Sequence, residues 1–363
     1  MDSTAMERNV LVVSLFLLLP TPFAFAGQIP AIFTFGNSLF DAGNNHFNKN
    51  CSIQADFPPY GRNFFHHPTG RFTNGRTIAD FISELVGLPI QEPYLEVELK
   101  IEMGSIKDYP KTGINFASAG SGLLQETSRD WGVTPIQTQF KQLENLVKQK
   151  KLDQSIIKNA FFLFESGSND VFQYFIPAAD EREPPQSFVA RMLKEILTVI
   201  NGVYALGARR IVALGLGPVG CIPARSLLPD APVDKCYKEM NDVVTAFNQG
   251  LEHKVMEIPK KLHGAVGVFG DAFNMVQQFI SSPRHYGFKN MSSACCGGGV
   301  LGGMVQCGKD GYQICQNPDE YLFWDFFHPT EHANNLLSKA FWSGKSSRIR
   351  PLNLKALTNT IVS

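Results

Sequence analysis

The sequence predicts an α/β fold built on a parallel sheet, and three observations carry that prediction. Short β-rich runs alternate with amphipathic helical stretches, the rhythm of repeated strand–helix–strand units. At 363 residues, with 44% apolar and 18% charged side chains, the chain has the size and composition for one sizeable folded core. No internal repeat, low-complexity tract or linker divides it, so residues 27–363 read as a single domain.

The elements follow in chain order. Residues 1–26 read as a secretory signal peptide: Arg8 precedes the apolar run Val10 to Leu19, and Ala24-Phe25-Ala26 offers a cleavage site before Gly27. That run is too short for a membrane span. Strands are expected near 29–36, 113–117, 160–165, 209–216 and 265–270, and helices near 76–86, 134–150, 187–206, 239–258 and 330–341. The helix from 134 opens Thr134-Pro135, a cap residue followed by proline in the first turn. Its Ile136, Phe140, Leu143 and Val147 recur at spacings of three and four, the stripe with which a helix covers a sheet. Residues 281–325, rich in Gly and Cys, read as a long disulfide-stapled loop.

Formal net charge is zero with no basic or acidic block, which gives nucleic acid no support as a partner. The 29 phenylalanines suit an apolar pocket as well as a core. In a secreted protein the seven cysteines (Cys51, Cys221, Cys236, Cys295, Cys296, Cys307, Cys315) read as disulfides, with one thiol left over and the pairing open. The Cys295-Cys296 doublet is not a Cys-x-x-Cys knuckle and no histidine stands at ligand spacing, so neither metal nor cofactor is expected. Sequons at Asn50 and Asn290 permit N-glycans.

Reactive residues collect at strand ends. Ser38 follows the apolar run Ile29 to Phe35, and Asp325 stands three residues before His328. A serine nucleophile needs a base and the base needs an orienting partner, and these three supply the set. Two more blocks follow expected strands: the small-residue loop Asn115 to Gly122, and Glu165-Ser166-Gly167-Ser168-Asn169-Asp170. Asp41 and Asp170 read as loop-fixing acids. Gly215 to Gly220 matches G-x-G-x-x-G, but Pro218 and Cys221-Ile222-Pro223 interrupt the helix start that dinucleotide binding requires, so it reads as a structural turn. Phe40 replaces the second glycine of a G-x-S-x-G elbow, and Ser38 lies early in the chain, which argues against the usual α/β-hydrolase order.

These four blocks, with Phe40 to Asn45, Pro58 to Gly61, Gly70 to Arg76 and Leu216 to Cys221, make the chain from about Ile29 to Trp342 resemble the plant GDSL-type esterase/lipase family of the SGNH hydrolase superfamily. The resemblance implies a three-layer α/β/α sandwich with a flavodoxin-like sheet. It implies a secreted serine esterase or lipase acting through an acyl-Ser38 intermediate, with His328 as general base and Asp325 orienting it. The oxyanion hole would comprise the backbone N–H groups of Ser38 and Gly120 and the side-chain amide of Asn169. Implied substrates are small-molecule or lipid esters, with short to medium acyl groups or plant acylated metabolites. One position departs: Asn37 stands where the family has aspartate. It is nearly isosteric and can still accept through its carbonyl oxygen, so the turn is expected to survive. An acyltransferase using the same residues, a secreted binding protein weakened at Asn37, and a dinucleotide enzyme on the Gly215–Gly220 loop are the alternatives.

Overall fold

A computed structural model describes residues 29–363; the signal peptide expected at 1–26 lies outside the described residues. Ten strands occur along the described chain: β1 (Ile32–Gly36), β2 (Gly113–Asn115), β3 (Phe161–Glu165), β4 (Arg210–Leu214), β5 (Val266–Gly270), β6 (Asn290–Ala294), β7 (Cys296–Gly297), β8 (Gln313–Ile314), β9 (Tyr321–Phe323) and β10 (Ile349–Arg350). β1 and β3 are buried throughout, which is why Ile-Phe-Thr-Phe and Phe-Phe-Leu-Phe read as continuous apolar runs and not as alternating ones.

The main sheet has the order β10-β5-β4-β3-β1-β2. β1 to β5 are parallel, in the flavodoxin-like order, and β10 adds an antiparallel edge. That edge departs from the all-parallel expectation. A two-residue strand carries too little sequence signal, and it is held from outside: Asp271 donates its N–H to Arg348 O at 2.8 Å, and Arg350 bonds Glu252 and Asp271. Helices Ile136–Lys148, Pro185–Ala205 and Lys238–Lys261 pack side by side, while Ile78–Val86 packs against Glu331–Ser343, giving the helical layers of an α/β/α sandwich. Among the described residues, no helix is long and apolar enough to cross a membrane.

The helix expected from Thr134 begins at Ile136, with Pro135 at the cap position. Pro135 O receives the N–H groups of Thr138 and Gln139, so Thr134 lies one residue outside and does not cap. Helices Tyr94–Glu102 and Ala272–Ser281 went unread in the sequence. Segment 281–325 holds four short strands in two small sheets, stapled by Cys295–Cys315 and Cys296–Cys307. Cys221–Cys236 is the third bridge, and buried Cys51 is the thiol left over.

Replacing Cys295 and Cys315, which are 20 residues apart, by serine should cost about 2–4 kcal/mol. A fall in thermal midpoint checks this; an unchanged midpoint would show that the loop is held without its staple.

Candidate active site

Ser38 is presented by a turn that only glycine permits. β1 leaves the sheet at Gly36, whose φ is +152°, and a Cβ there would lie 2.0 Å from Glu165 O of β3. The turn is clamped from the helix beginning at Ile136. Gln139 Oε1 accepts the Gly36 N–H at 2.9 Å, while Gln139 Nε2 donates to Gly36 O at 2.9 Å. Asn37 O then accepts the N–H groups of Phe40 and Asp41, and Asn37 Oδ1 accepts that of Leu39 at 2.9 Å. The acceptor role expected of Asn37 is therefore filled. Ser38 sits at the carboxyl edge of the sheet where the chain leaves β1 for β2 on one side and returns as β3 on the other. Open α/β sheets bind ligands at such switch points.

Asp325 and His328 come from the loop after β9. Asp325 is fully buried. Its Oδ1 accepts the N–H groups of Phe327 (2.9 Å) and His328 (2.8 Å), and lies 2.7 Å from His328 Nδ1. Its Oδ2 lies 2.9 Å from Nδ1 and accepts the Tyr60 hydroxyl at 2.7 Å. A carboxylate facing Nδ1 fixes the proton there and leaves Nε2 with its lone pair free to act as a base. Burial, and then the neighbouring Asp325 charge, push the Tyr60 phenol well above its usual range, so it remains a donor. Tyr60 had entered the sequence reading only as part of Pro58 to Gly61. Its partner lies 265 residues away, and no local pattern announces such a bond.

The loop after β2 is lashed to the segment after Ser38. Asn44 Nδ2 donates to Asn115 O and Ala117 O, each at 2.8 Å, and Asn45 Nδ2 donates to Ala119 O at 2.9 Å. Asp41 accepts the N–H groups of Gly43, Asn44 and Ala119, and Asp170 accepts those of Leu123 and Leu124. Both acids fix loops, as the sequence suggested. Burial pushes each up to about 6, and the same N–H groups offset part of that rise. Gly120 has φ +81°, and a Cβ there would meet Ile53 Cδ1 at 2.3 Å. Asn169 Nδ2 gives one hydrogen to Ser121 O at 2.9 Å and keeps a second.

Ser38, Gly120, Asn169 and His328 all line one cleft of about 510 Å³, with Trp131, Phe172 and Leu227 among its apolar walls. A smaller apolar chamber of about 80 Å³ shares Ser38, Asn169 and His328. Ser38 and His328 share both cavities without a direct hydrogen bond. The Gly215–Gly220 turn belongs elsewhere. The Leu216 and Gly220 N–H groups are taken by the side chains of Asn248 and Asn241, which leaves neither for a phosphate.

Residues 32–341 match the family profile of the GDSL-like lipase/acylhydrolases. A protein from Arabidopsis thaliana named GDSL esterase/lipase 6 is 53% identical over 99% of both chains. A GDSL lipase from Tanacetum cinerariifolium is 35% identical over 96% of this chain and 93% of its own. Among solved structures, a mutant acetyl-xylooligosaccharide esterase from Geobacillus aligns over 87% of this chain and 94% of its own. Its TM-score of 0.40 and 14% identity are too low to carry argument.

Gly120→Ala should destabilise the protein by about 1–3 kcal/mol, because it combines a strained φ with a steric clash. Equilibrium unfolding in urea checks this, and an unchanged midpoint would mean that Ile53 yields freely.

Proposed function

The chain belongs to the GDSL-like lipase/acylhydrolase family and is a carboxylic ester hydrolase, and from that premise we propose that it works through an acyl intermediate on Ser38. One observation carries the reading: Ser38, Gly120, Asn169 and His328 converge on one largely apolar cleft, with the carboxylate of Asp325 on the far side of the imidazole.

Each step then has a residue. An ester lies in the cleft with its carbonyl carbon at Ser38 Oγ. His328 Nε2 takes the hydroxyl proton as the Oγ–carbon bond forms, and the carbonyl oxygen gains the negative charge. The N–H groups of Ser38 and Gly120 and the free hydrogen of Asn169 Nδ2 receive that charge. Because they are held before the reaction, they need not reorganise during it. Collapse expels the alcohol, which takes its proton from His328. Water, deprotonated by the same nitrogen, then releases the acid. Asp325 keeps the tautomer and stabilises the imidazolium, while Tyr60 holds Asp325.

The apolar walls support esters with an apolar acyl or alcohol part, such as short to medium acyl groups. Trp131, Ile176 and Leu227 are exposed large apolar residues on the cleft. This favours one second reading, in which an apolar alcohol replaces water and takes the acyl group. The partition of a labelled acyl group between water and added alcohols separates the two. Secretion is part of the proposal, supported by the signal-like residues 1–26, three disulfides and the exposed Asn50 sequon. Expression with the leader intact should deliver the protein to the medium, with a mass that falls on treatment with peptide N-glycosidase. Retention inside the cell would refute this part.

A fluorophosphonate probe should label Ser38, as read by peptide mapping; labelling of another serine would overturn the assignment. Ser38→Ala and His328→Ala should each lower kcat by orders of magnitude in folded protein. Asn169→Ala should cost about 100- to 1,000-fold, as expected for one oxyanion donor. Tyr60→Phe should lower kcat by about three- to tenfold with KM little changed, since it removes one hydrogen bond of about 1 kcal/mol from Asp325. Equal loss in kcat and binding would assign Tyr60 to substrate instead.

A further inference from the structure

One buried acid takes no part in these steps. Glu165 ends β3 in register with Gly36, and its backbone O accepts the Asn37 N–H at 3.3 Å. Both carboxyl oxygens are buried and without a hydrogen-bond partner, and so is Asn37 Nδ2. That amide and the Ser168 hydroxyl neighbour the carboxyl, and neither makes a full hydrogen bond to it. Burial pushes the Glu165 carboxyl up to about 8, offset in part by Asn37 and Ser168 and reinforced by the negative charge of Asp170. Asp170, on the helix after β3, is the charged group acting on it; Asn37, on the turn after β1, and Ser168, at the start of that helix, are uncharged.

We propose that Glu165 is a positioning residue for Ser38, set against the Asn37 amide behind the turn that carries the serine, and that the acid at 165 is what requires an amide at 37. The proposal rests on the reading of Ser38 as nucleophile. Asn37 is bound at one end of its amide, where Oδ1 holds the Leu39 N–H across Ser38, and its Nδ2, buried and without a full hydrogen bond, neighbours the Glu165 carboxyl. An aspartate at 37 would keep the first contact and turn an oxygen toward the second carboxyl. Two such groups share a proton or repel, and neither state leaves the turn unchanged. A small displacement of Ser38 is enough to lower turnover, because the attack depends on alignment with the imidazole and the oxyanion donors. The near-isosteric exchange read from the sequence is thus not equivalent in this surrounding.

The test uses p-nitrophenyl butyrate and pH profiles of kcat for four folded proteins. Wild type should show a loss of kcat with a midpoint near pH 8, as Glu165 ionises. Glu165→Gln, uncharged at every pH, should abolish that limb. Asn37→Asp should lower kcat at pH 7 about tenfold with KM within about twofold, and adding Glu165→Gln should restore it to within about threefold of wild type. Wild-type kcat in Asn37→Asp, or a double variant no better than Asn37→Asp, would overturn the pairing. If Ser38→Ala retained turnover, the nucleophile assignment would fail instead, and the pair would be read from unfolding. The folded carboxyl lies above its ordinary value, so its stabilising contribution is complete below about pH 4.5 and is lost as pH rises through about 8. The wild-type thermal midpoint should therefore fall between pH 5 and 9 more than that of Glu165→Gln; identical slopes would overturn the pairing by this second route.

Discussion

The candidate site is organised by the need to satisfy one buried charge. Asp325 has no exposure, and a carboxylate in that position is tolerated only if donors surround it. Its donors are the Phe327 and His328 N–H groups, the imidazole and the Tyr60 hydroxyl. Satisfying the acid therefore folds its own loop into a tight turn, orients the histidine and draws in a segment from the other end of the chain. Around this contact lies a small separate core of Tyr60, Phe72, Trp324, Ala119 and the cysteines 295, 296 and 307. The Cys295 and Cys296 N–H groups bond Phe323 O and Trp324 O, which ties two of the disulfides to the segment that leads into Asp325 and His328. They brace the strand that delivers the imidazole.

The amino-terminal half meets the same demand with neutral side chains. Gln139 bonds Gly36 at both its N–H and its carbonyl, and Asn44 and Asn45 bind the carbonyls of the loop carrying Gly120. These loops are made of small residues, so they have little side chain of their own to pack. Their shape comes instead from side-chain hydrogen bonds reaching across from other elements. Such buried networks specify one geometry when every member is satisfied. A rigid frame of this kind suits an oxyanion hole, whose donors act by being in place beforehand.

The main strands and helices were legible in the sequence because each buries an apolar run or stripe that can be seen locally. Ser38, Asp325 and His328 were legible because each follows a strand or loop boundary in a distinctive short pattern. Two helices escaped although they are local, Tyr94–Glu102 with a single buried residue and Ala272–Ser281 with only ten residues; most of the rest of what escaped was long-range. The Tyr60–Asp325 bond, the disulfide pairing and the antiparallel β10 depend on residues far apart in the chain, and periodicity carries no information about such partners. Pro135 escaped for a local reason: Thr134-Pro135 satisfies the capping rule on paper, yet the Thr134 N–H is used by Ser118 Oγ at 3.0 Å, one residue before the helix.

The acids of the site differ in what surrounds them, and the difference matters for charge. Asp325 has four donor groups, Asp41 and Asp170 accept mostly backbone N–H groups, and Glu165 has no full hydrogen bond. A negative charge close to a developing oxyanion opposes it, and more strongly where water is excluded. Keeping the acid behind the nucleophile turn neutral removes that opposition where it would act most strongly. In the proposed mechanism Asp325 is the acid whose charge the reaction uses, since it faces the imidazole that becomes positive. Burial thus serves two opposite ends within one site: it suppresses the charge of Glu165, and by excluding water it strengthens the pull of Asp325 on its histidine.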